Sequence, residues 1–192
     1  TGFGNLLMLF VGIETLSLSL YILAGSKKFD PNSNEAAMKY FLTGSFASGF
    51  LLFGIALLYG ASGSMNLEEI KQYDILHQAN MPGMLTIGLI LVAIGMSFKI
   101  GAAPFHFWAP DVYEGSPTLI TTFMATVGKV AAIAAFFRLM QSSFGEVESI
   151  WKVTLTIFAI ATILIGNLSA FYQDNVKRMF AYSGIAHAGY ML

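Results

Sequence analysis

The sequence predicts an all-α polytopic membrane protein with six transmembrane segments, the last one truncated, and one broken helix around Lys99–Pro110. Three observations predict it. The chain is 56% hydrophobic and 11% charged, with a mean hydropathy of +0.67, whereas an ordinary soluble domain carries about 25% charged residues. Several apolar runs reach the roughly 20 residues needed to cross a hydrocarbon core of about 30 Å. A soluble core of 192 residues has too little interior to bury five or six helices that are apolar all round.

The segments fall at about 3–24, 41–60, 84–108, 117–140, 153–172 and 179–192. The first carries Glu14 near its middle, with Ser17 and Tyr21 three and seven residues on and therefore on the same helical face. The linker Gly25–Lys39 is polar and turn-rich, and the second segment contains the small-residue pairs Gly44/Ser48 and Ser45/Gly49. Such pairs let helices approach closely, so packing is the role predicted for them. The linker Ala61–Pro82 is acidic, and its Asn66-Leu67-Glu68-Glu69 start predicts the cap of a short surface helix.

The third segment contains Lys99 and then Gly101-Ala102-Ala103-Pro104. Pro104 cannot donate to the carbonyl of Ile100 and would clash with it, so the helix breaks here. Backbone groups freed at membrane depth are tolerated only where protein or water satisfies them. His106 follows Lys99 by seven residues and would share its face if the helix resumed at once. Trp108 and Tyr113 read as an interfacial aromatic belt. In the fourth segment Lys129 lies near the middle, on a face with Thr118, Thr122, Ala125 and Ala132. Asn167 in the fifth segment reads as a helix–helix hydrogen bond, and His187 lies in the sixth with Ser183 and Tyr190 on its face.

Three charges within apolar runs are the functional signal. A charge at the centre of a bilayer costs roughly 2.5–3.5 kcal/mol or more to insert. Glu14 and Lys129 on polar or small-residue stripes, and Lys99 beside a helix break, predict movement of charge or ions within the membrane. A lysine suits proton work because, when buried, it takes up or releases a proton according to hydration and the nearness of a carboxylate. A static ion pair between Glu14 and Lys99, and ordinary packing histidines at His106 and His187, are the plainer alternatives.

Composition excludes other classes. The net charge of −1 provides no basic stripe for nucleic acid. Without cysteine there is no disulfide, iron–sulfur ligation or cysteine zinc site. His77, His106 and His187 are too scattered to suggest a metal site. The chain lacks an initiating Met and a leader pattern, and it stops within an apolar run, so a piece of a longer protein is expected. Positive charge sets a weak orientation: Lys27, Lys28, Lys39, Lys177 and Arg178 on the predicted cytoplasmic side face Lys71, Arg138 and Lys152 on the other.

The stretch from Phe98 through Pro104-Phe105-His106-Phe107-Trp108-Ala109-Pro110-Asp111-Val112-Tyr113-Glu114-Gly115 to Thr118 resembles the proton-translocating, antiporter-like membrane subunits of respiratory complex I. The Asp111–Gly115 wording is similar to the N-subunit branch of that family, equivalent to mitochondrial subunit 2. The block Asn175-Val176-Lys177-Arg178 to Tyr190 is similar to a second family motif. The resemblance implies a fourteen-helix subunit with two inverted repeats. This chain would be about helices 5–10, residues 1–140 belonging to the first repeat and 151–192 opening the second. It implies that Glu14 pairs with Lys99, that Lys129 is the central-axis lysine, and that His106 and His187 accompany the relay. It also implies a multi-pass protein of the cell (inner) membrane that binds no cofactor itself. Its expected partners are the lipid bilayer and neighbouring membrane subunits, with NADH, quinone, flavin and iron–sulfur clusters used elsewhere in the complex. A multi-subunit cation/proton antiporter subunit and a purely structural scaffold are the rival readings.

Overall fold

The computed structural model describes residues 2–77, 83–144 and 148–192. Its helices are α1 (Leu6–Ala24), α2 (Pro31–Ser62), α3 (Leu67–His77), α4 (Gly83–Ile100), α5 (Trp108–Gly115), α6 (Thr118–Phe123), α7 (Lys129–Ser143), α8 (Glu148–Phe171) and α9 (Val176–Met191). A π-helical segment, Met124–Gly128, joins α6 to α7 as one continuous rod. Among the described residues, five helices are long and apolar enough to cross a membrane: Leu6–Ala24, Pro31–Ser62, Gly83–Ile100, Thr118–Gln141 and Trp151–Phe171. At 16 residues, α9 is about 24 Å long at 1.5 Å per residue and falls short of the core thickness.

The starts of the helices follow local chemistry. Asp30 caps α2 by accepting from the Asn32 N–H, and Pro31 occupies the first turn, where its missing N–H costs nothing. The linker predicted over Gly25–Lys39 is therefore mostly the first turns of α2. That helix has 32 residues, about 48 Å, so it is longer than a bilayer core of about 30 Å. Asn66 caps α3 at the Glu68 N–H, as its sequence predicts. However, Leu67 and Ile70 are buried, so α3 packs inward and does not simply float on the surface. The rest of the second predicted linker, residues 78–82, lies outside the described residues. Asn175 caps α9 by accepting from Lys177 and Arg178.

Two apolar cores organise the bundle. One joins α2, α4 and α7 through residues such as Leu51, Ile55, Leu89, Met96 and Leu139. Within it α2 and α4 come close at Gly54, where an added Cβ would lie 2.8 Å from the Gly88 carbonyl of α4. The sequence expectation placed close packing at the pairs Gly44/Ser48 and Ser45/Gly49. Gly49 has nothing within 4 Å of a Cβ, and Gly44 meets a side chain instead of a helix backbone. The second core gathers Tyr21, Tyr40, Phe98, Trp108, Tyr113 and Ile185, and it surrounds the charged groups.

Candidate functional site

Lys99 closes α4 and points at α1. Its Nζ donates to Ser17 Oγ at 2.8 Å and to Tyr21 Oη at 3.2 Å. Glu14 Oε1 lies 3.9 Å away. The three α1 residues share one face, as spacing predicts. Ser48 of α2 donates to the same Glu14 oxygen. Ser17 donates its own proton to the Ile13 carbonyl at 2.7 Å, which leaves its lone pairs free for the ammonium. Gly44 leaves space for the Tyr21 hydroxyl, since a Cβ there would be 2.0 Å from Oη. The Lys99 side chain is 7% exposed and that of Glu14 23%. Charges about 4 Å apart attract by about 4 kcal/mol at an effective dielectric near 20. That is similar to the several kcal/mol lost per ion on burial. The hydroxyls of Ser17, Tyr21 and Ser48 therefore decide whether the pair is tolerable.

Several backbone groups freed after Lys99 find partners within the protein. Gly101 turns left-handed at φ +79°, a conformation suited to glycine. Its N–H returns to Ser97 and Phe98, and the Ala102 N–H to Ser97. The Ala103 N–H is taken by Thr162 Oγ1 of α8 at 2.8 Å, and Trp108 Nε1 donates to the Phe98 carbonyl at 3.1 Å. Trp108 and Tyr113 are buried, with Trp108 stacked on Tyr40 at 4.6 Å. They are not the aromatic belt expected at a lipid interface, because the indole N–H has a buried carbonyl to satisfy. Residues 101–107 are non-helical, so the seven-residue spacing does not put His106 on the Lys99 face. His106 is buried beside Phe107, and its Nδ1 has no hydrogen-bond partner among the described residues. Lys99 and Ser17 line a cavity of about 360 Å³ whose far wall includes Gly128 and Ala132.

Lys129 follows the π-helical segment directly. Its Nζ donates to the Gly184 carbonyl of α9 at 2.8 Å and lies 6.0 Å from the centre of the Tyr113 ring of α5. Lys129 is 5% exposed, whereas Thr118 and Thr122 are exposed and hydrogen-bonded within or at the start of their own helix. The stripe predicted to join them does not form. A π turn adds a residue and rotates everything beyond it, so a 3.6-residue period cannot be extended across it. His187 is exposed, with its ring beside that of Tyr190. Asn167 Nδ2 lies 3.0 Å from Tyr190 Oη and joins α8 to α9, as expected.

A charged cluster at one end of α2, α5 and α9 was missed as a constellation, although both motif blocks contain its members. Arg178 Nη1 binds Asp111 Oδ1 at 2.7 Å and Glu114 Oε2 at 2.9 Å. Lys39 binds Asp111 Oδ2 at 2.8 Å. Lys177 Nζ donates to the Ser116 carbonyl at 3.0 Å, and Asn175 Nδ2 to Glu114 at 2.7 Å. Hydrogen bonding to Glu114 holds the Arg178 proton more firmly than usual, against a smaller penalty from burial. Partial burial pushes the Asp111 carboxyl up, but Lys39 and Arg178 together hold it below its ordinary value. Among the described residues, no group of three or more His, Cys, Asp or Glu side chains is placed to hold a metal ion.

Residues 4–192 match the family described as NADH:quinone oxidoreductase/Mrp antiporter, TM. NADH-quinone oxidoreductase subunit N of Flavobacterium johnsoniae is 53% identical, over 99% of this chain and 42% of the relative. The chain thus spans about two fifths of the length of the curated relatives it matches. Respiratory complex I from Thermus thermophilus with bound aureothin contains a chain 42% identical, with a TM-score of 0.80, over 97% of this chain and 39% of that one. The Mrp complex from Dietzia sp. DQ12-45-1b contains one 25% identical, with a TM-score of 0.86, over 97% and 34%.

Proposed function

The chain belongs to the NADH:quinone oxidoreductase/Mrp antiporter membrane family, and on that premise we propose that it is part of the N subunit of a proton-pumping NADH–quinone oxidoreductase. The carrying observation is a buried lysine hydrogen-bonded across helices beside a carboxylate, with a second buried lysine further into the bundle. Glu14 modulates Lys99, and a proton passes from Lys99 towards Lys129, with His106 and His187 as accompanying groups. The chain does no redox chemistry itself. NADH, quinone, flavin and iron–sulfur clusters act in other subunits, with which this one assembles in the inner cell membrane.

In this reading α4 and α5 are halves of one broken membrane helix, and α9 is the first part of a sixth span. Residues 1–140 belong to one inverted repeat and 151–192 open the next, with Lys39 and Arg178 on the cytoplasmic side. Shape does not choose between complex I and a cation/proton antiporter, because the Mrp neighbour has the higher TM-score, 0.86 against 0.80. Identity favours complex I, at 42% against 25%.

The test uses the full-length subunit in the intact complex, reconstituted in vesicles. Lys99→Ala and Lys129→Ala should each lower the protons moved per NADH oxidised while assembly stays intact. Normal pumping in either assembled variant would overturn the relay. A structural scaffold instead predicts that exchanging Glu14 and Lys99 preserves assembly and pumping together.

A further inference from the structure

Among the described residues, the Lys129 ammonium meets the Gly184 carbonyl of α9 and the Tyr113 ring of α5, both outside its own rod. These are the two helices that the charged cluster ties together. On α5, Asp111 and Glu114 flank Tyr113 within two residues. On α9, Arg178 precedes Gly184 by six residues, about 9 Å along the axis at 1.5 Å per residue. Among the described residues, the Lys129 ammonium donates to the Gly184 carbonyl and to no member of the cluster.

The contacts are arranged to close α5 onto α9. One Arg178 nitrogen bridges two carboxylates on the same face of α5, three residues apart. Lys177 donates to carbonyls at the end of α5, Glu114 at 3.3 Å and Ser116 at 3.0 Å, where the helix dipole is negative. Asn175 caps α9 with its oxygen and reaches Glu114 with its nitrogen. Lys39 of α2 donates to the other carboxylate, that of Asp111. Thr121 Oγ1, at the start of the rod that carries Lys129, also donates to the Tyr113 carbonyl, at 3.0 Å.

Resting on the proposed relay, we infer that Arg178, with Asp111 and Glu114, is a positioning device for Lys129: the clamp sets the spacing of α5 and α9, and so the carbonyl and ring between which the ammonium sits. Arg178 acts through the helices and is not itself a relay group. The Asp111–Gly115 and Asn175–Arg178 motifs then share one purpose.

The test is Arg178→Gln in the full-length subunit within the intact complex. Protons per NADH are measured in vesicles, and the Lys129–Gly184 contact is read by cryo-electron microscopy. The ratio is taken per turnover, so a smaller yield of assembled complex does not move it. Expected are a ratio lowered towards that of Lys129→Ala, a Lys129 Nζ moved beyond about 3.5 Å from the Gly184 oxygen, and recovery of both in Arg178→Lys. An assembled Arg178→Gln complex with the normal ratio, or one with a lowered ratio and the contact intact, overturns the clamp. If Arg178→Gln does not assemble, Asp111→Asn, which leaves the Glu114 contact, is read in the same way. Failure of both to assemble makes the cluster structural only and also overturns the inference. Normal pumping by Lys129→Ala removes the relay reading and this inference with it. A lowered ratio in Lys129→Ala beside a normal one in Arg178→Gln removes this inference alone.

Discussion

The two buried lysines are held in opposite ways. Lys99 meets a carboxylate and two hydroxyls, with Ser48 holding the carboxylate from the far side. Lys129 meets a peptide carbonyl and the face of a ring, both neutral. A charge balanced by a side chain can be switched by moving that side chain. A charge balanced only by dipoles depends on where the helices carrying them stand. The first site is thus suited to local control by Glu14, and the second to control through helix packing.

The largest expected effect tests that difference directly. Lys99→Ala leaves Glu14 short of its cation and should cost about 1–3 kcal/mol, the range for a buried polar group deprived of a partner. Adding Glu14→Gln should restore most of that stability without restoring pumping. Lys129→Ala strands no carboxylate, so it should lower pumping as much while changing the melting temperature of the complex less. A larger thermal loss for Lys129→Ala than for Lys99→Ala would reverse the comparison.

Glycine substitutions sharpen it next. In Gly44→Ala the new Cβ would sit 2.0 Å from Tyr21 Oη, so the tyrosine must leave Lys99. Overpacking of this kind costs about 1–3 kcal/mol. In Gly184→Ala the Cβ would be 3.4 Å from Lys129 Nζ, an ordinary contact, and the helix gains about 0.5–1 kcal/mol from replacing glycine. Melting and NADH oxidation should fall for the first and stay level for the second. Equal effects would mean that clearance around Tyr21 is not what distinguishes the sites.

This asymmetry explains what was legible in the sequence. The face of Glu14, Ser17 and Tyr21 was readable because α1 is regular throughout, and the helix stop at Ile100 followed from Gly101 and Pro104. The partners of Lys129 were not readable. The π segment at Met124–Gly128 broke the period from Thr118 and Thr122, and a backbone carbonyl such as that of Gly184 leaves no mark in residue type. His106 was misplaced for a related reason, since residues 101–107 do not continue the helix. Ser48 was read as a packing residue because nothing local reveals that its hydroxyl reaches Glu14 on another helix. The α2 start at Asp30-Pro31 was not legible, because the polar composition around it pointed to a linker.

A smaller effect is expected at Ser48. Ser48→Ala removes a hydrogen bond to a charged carboxylate, worth about 1.5–3 kcal/mol when well buried. Glu14 is 23% exposed, which places the loss at the low end. Glu14 would then be freer to approach Lys99, so the pH dependence of pumping should change more than stability does. A pH profile identical to wild type would remove Ser48 from the control of the pair.

The smallest effect belongs to Asp111, whose carboxyl lies below its ordinary value because Lys39 and Arg178 outweigh its partial burial. A depressed folded-state value means that ionised Asp111 adds stability above the unfolded value of about 3.9, and that this contribution disappears as pH falls through the folded value. Melting temperature should therefore drop on acidification below about pH 4, and Asp111→Asn should flatten that limb while lowering stability slightly at neutral pH. The Asp111 side chain is 34% exposed and that of Arg178 31%, so screening limits the loss to about 0–1 kcal/mol. Added salt should shrink it further, since the Debye length falls to about 3 Å at 1 M. The enclosed Lys99–Glu14 pair should respond much less to the same salt. A salt response of equal size in Asp111→Asn and wild type would show that the sensitivity arises elsewhere on the surface.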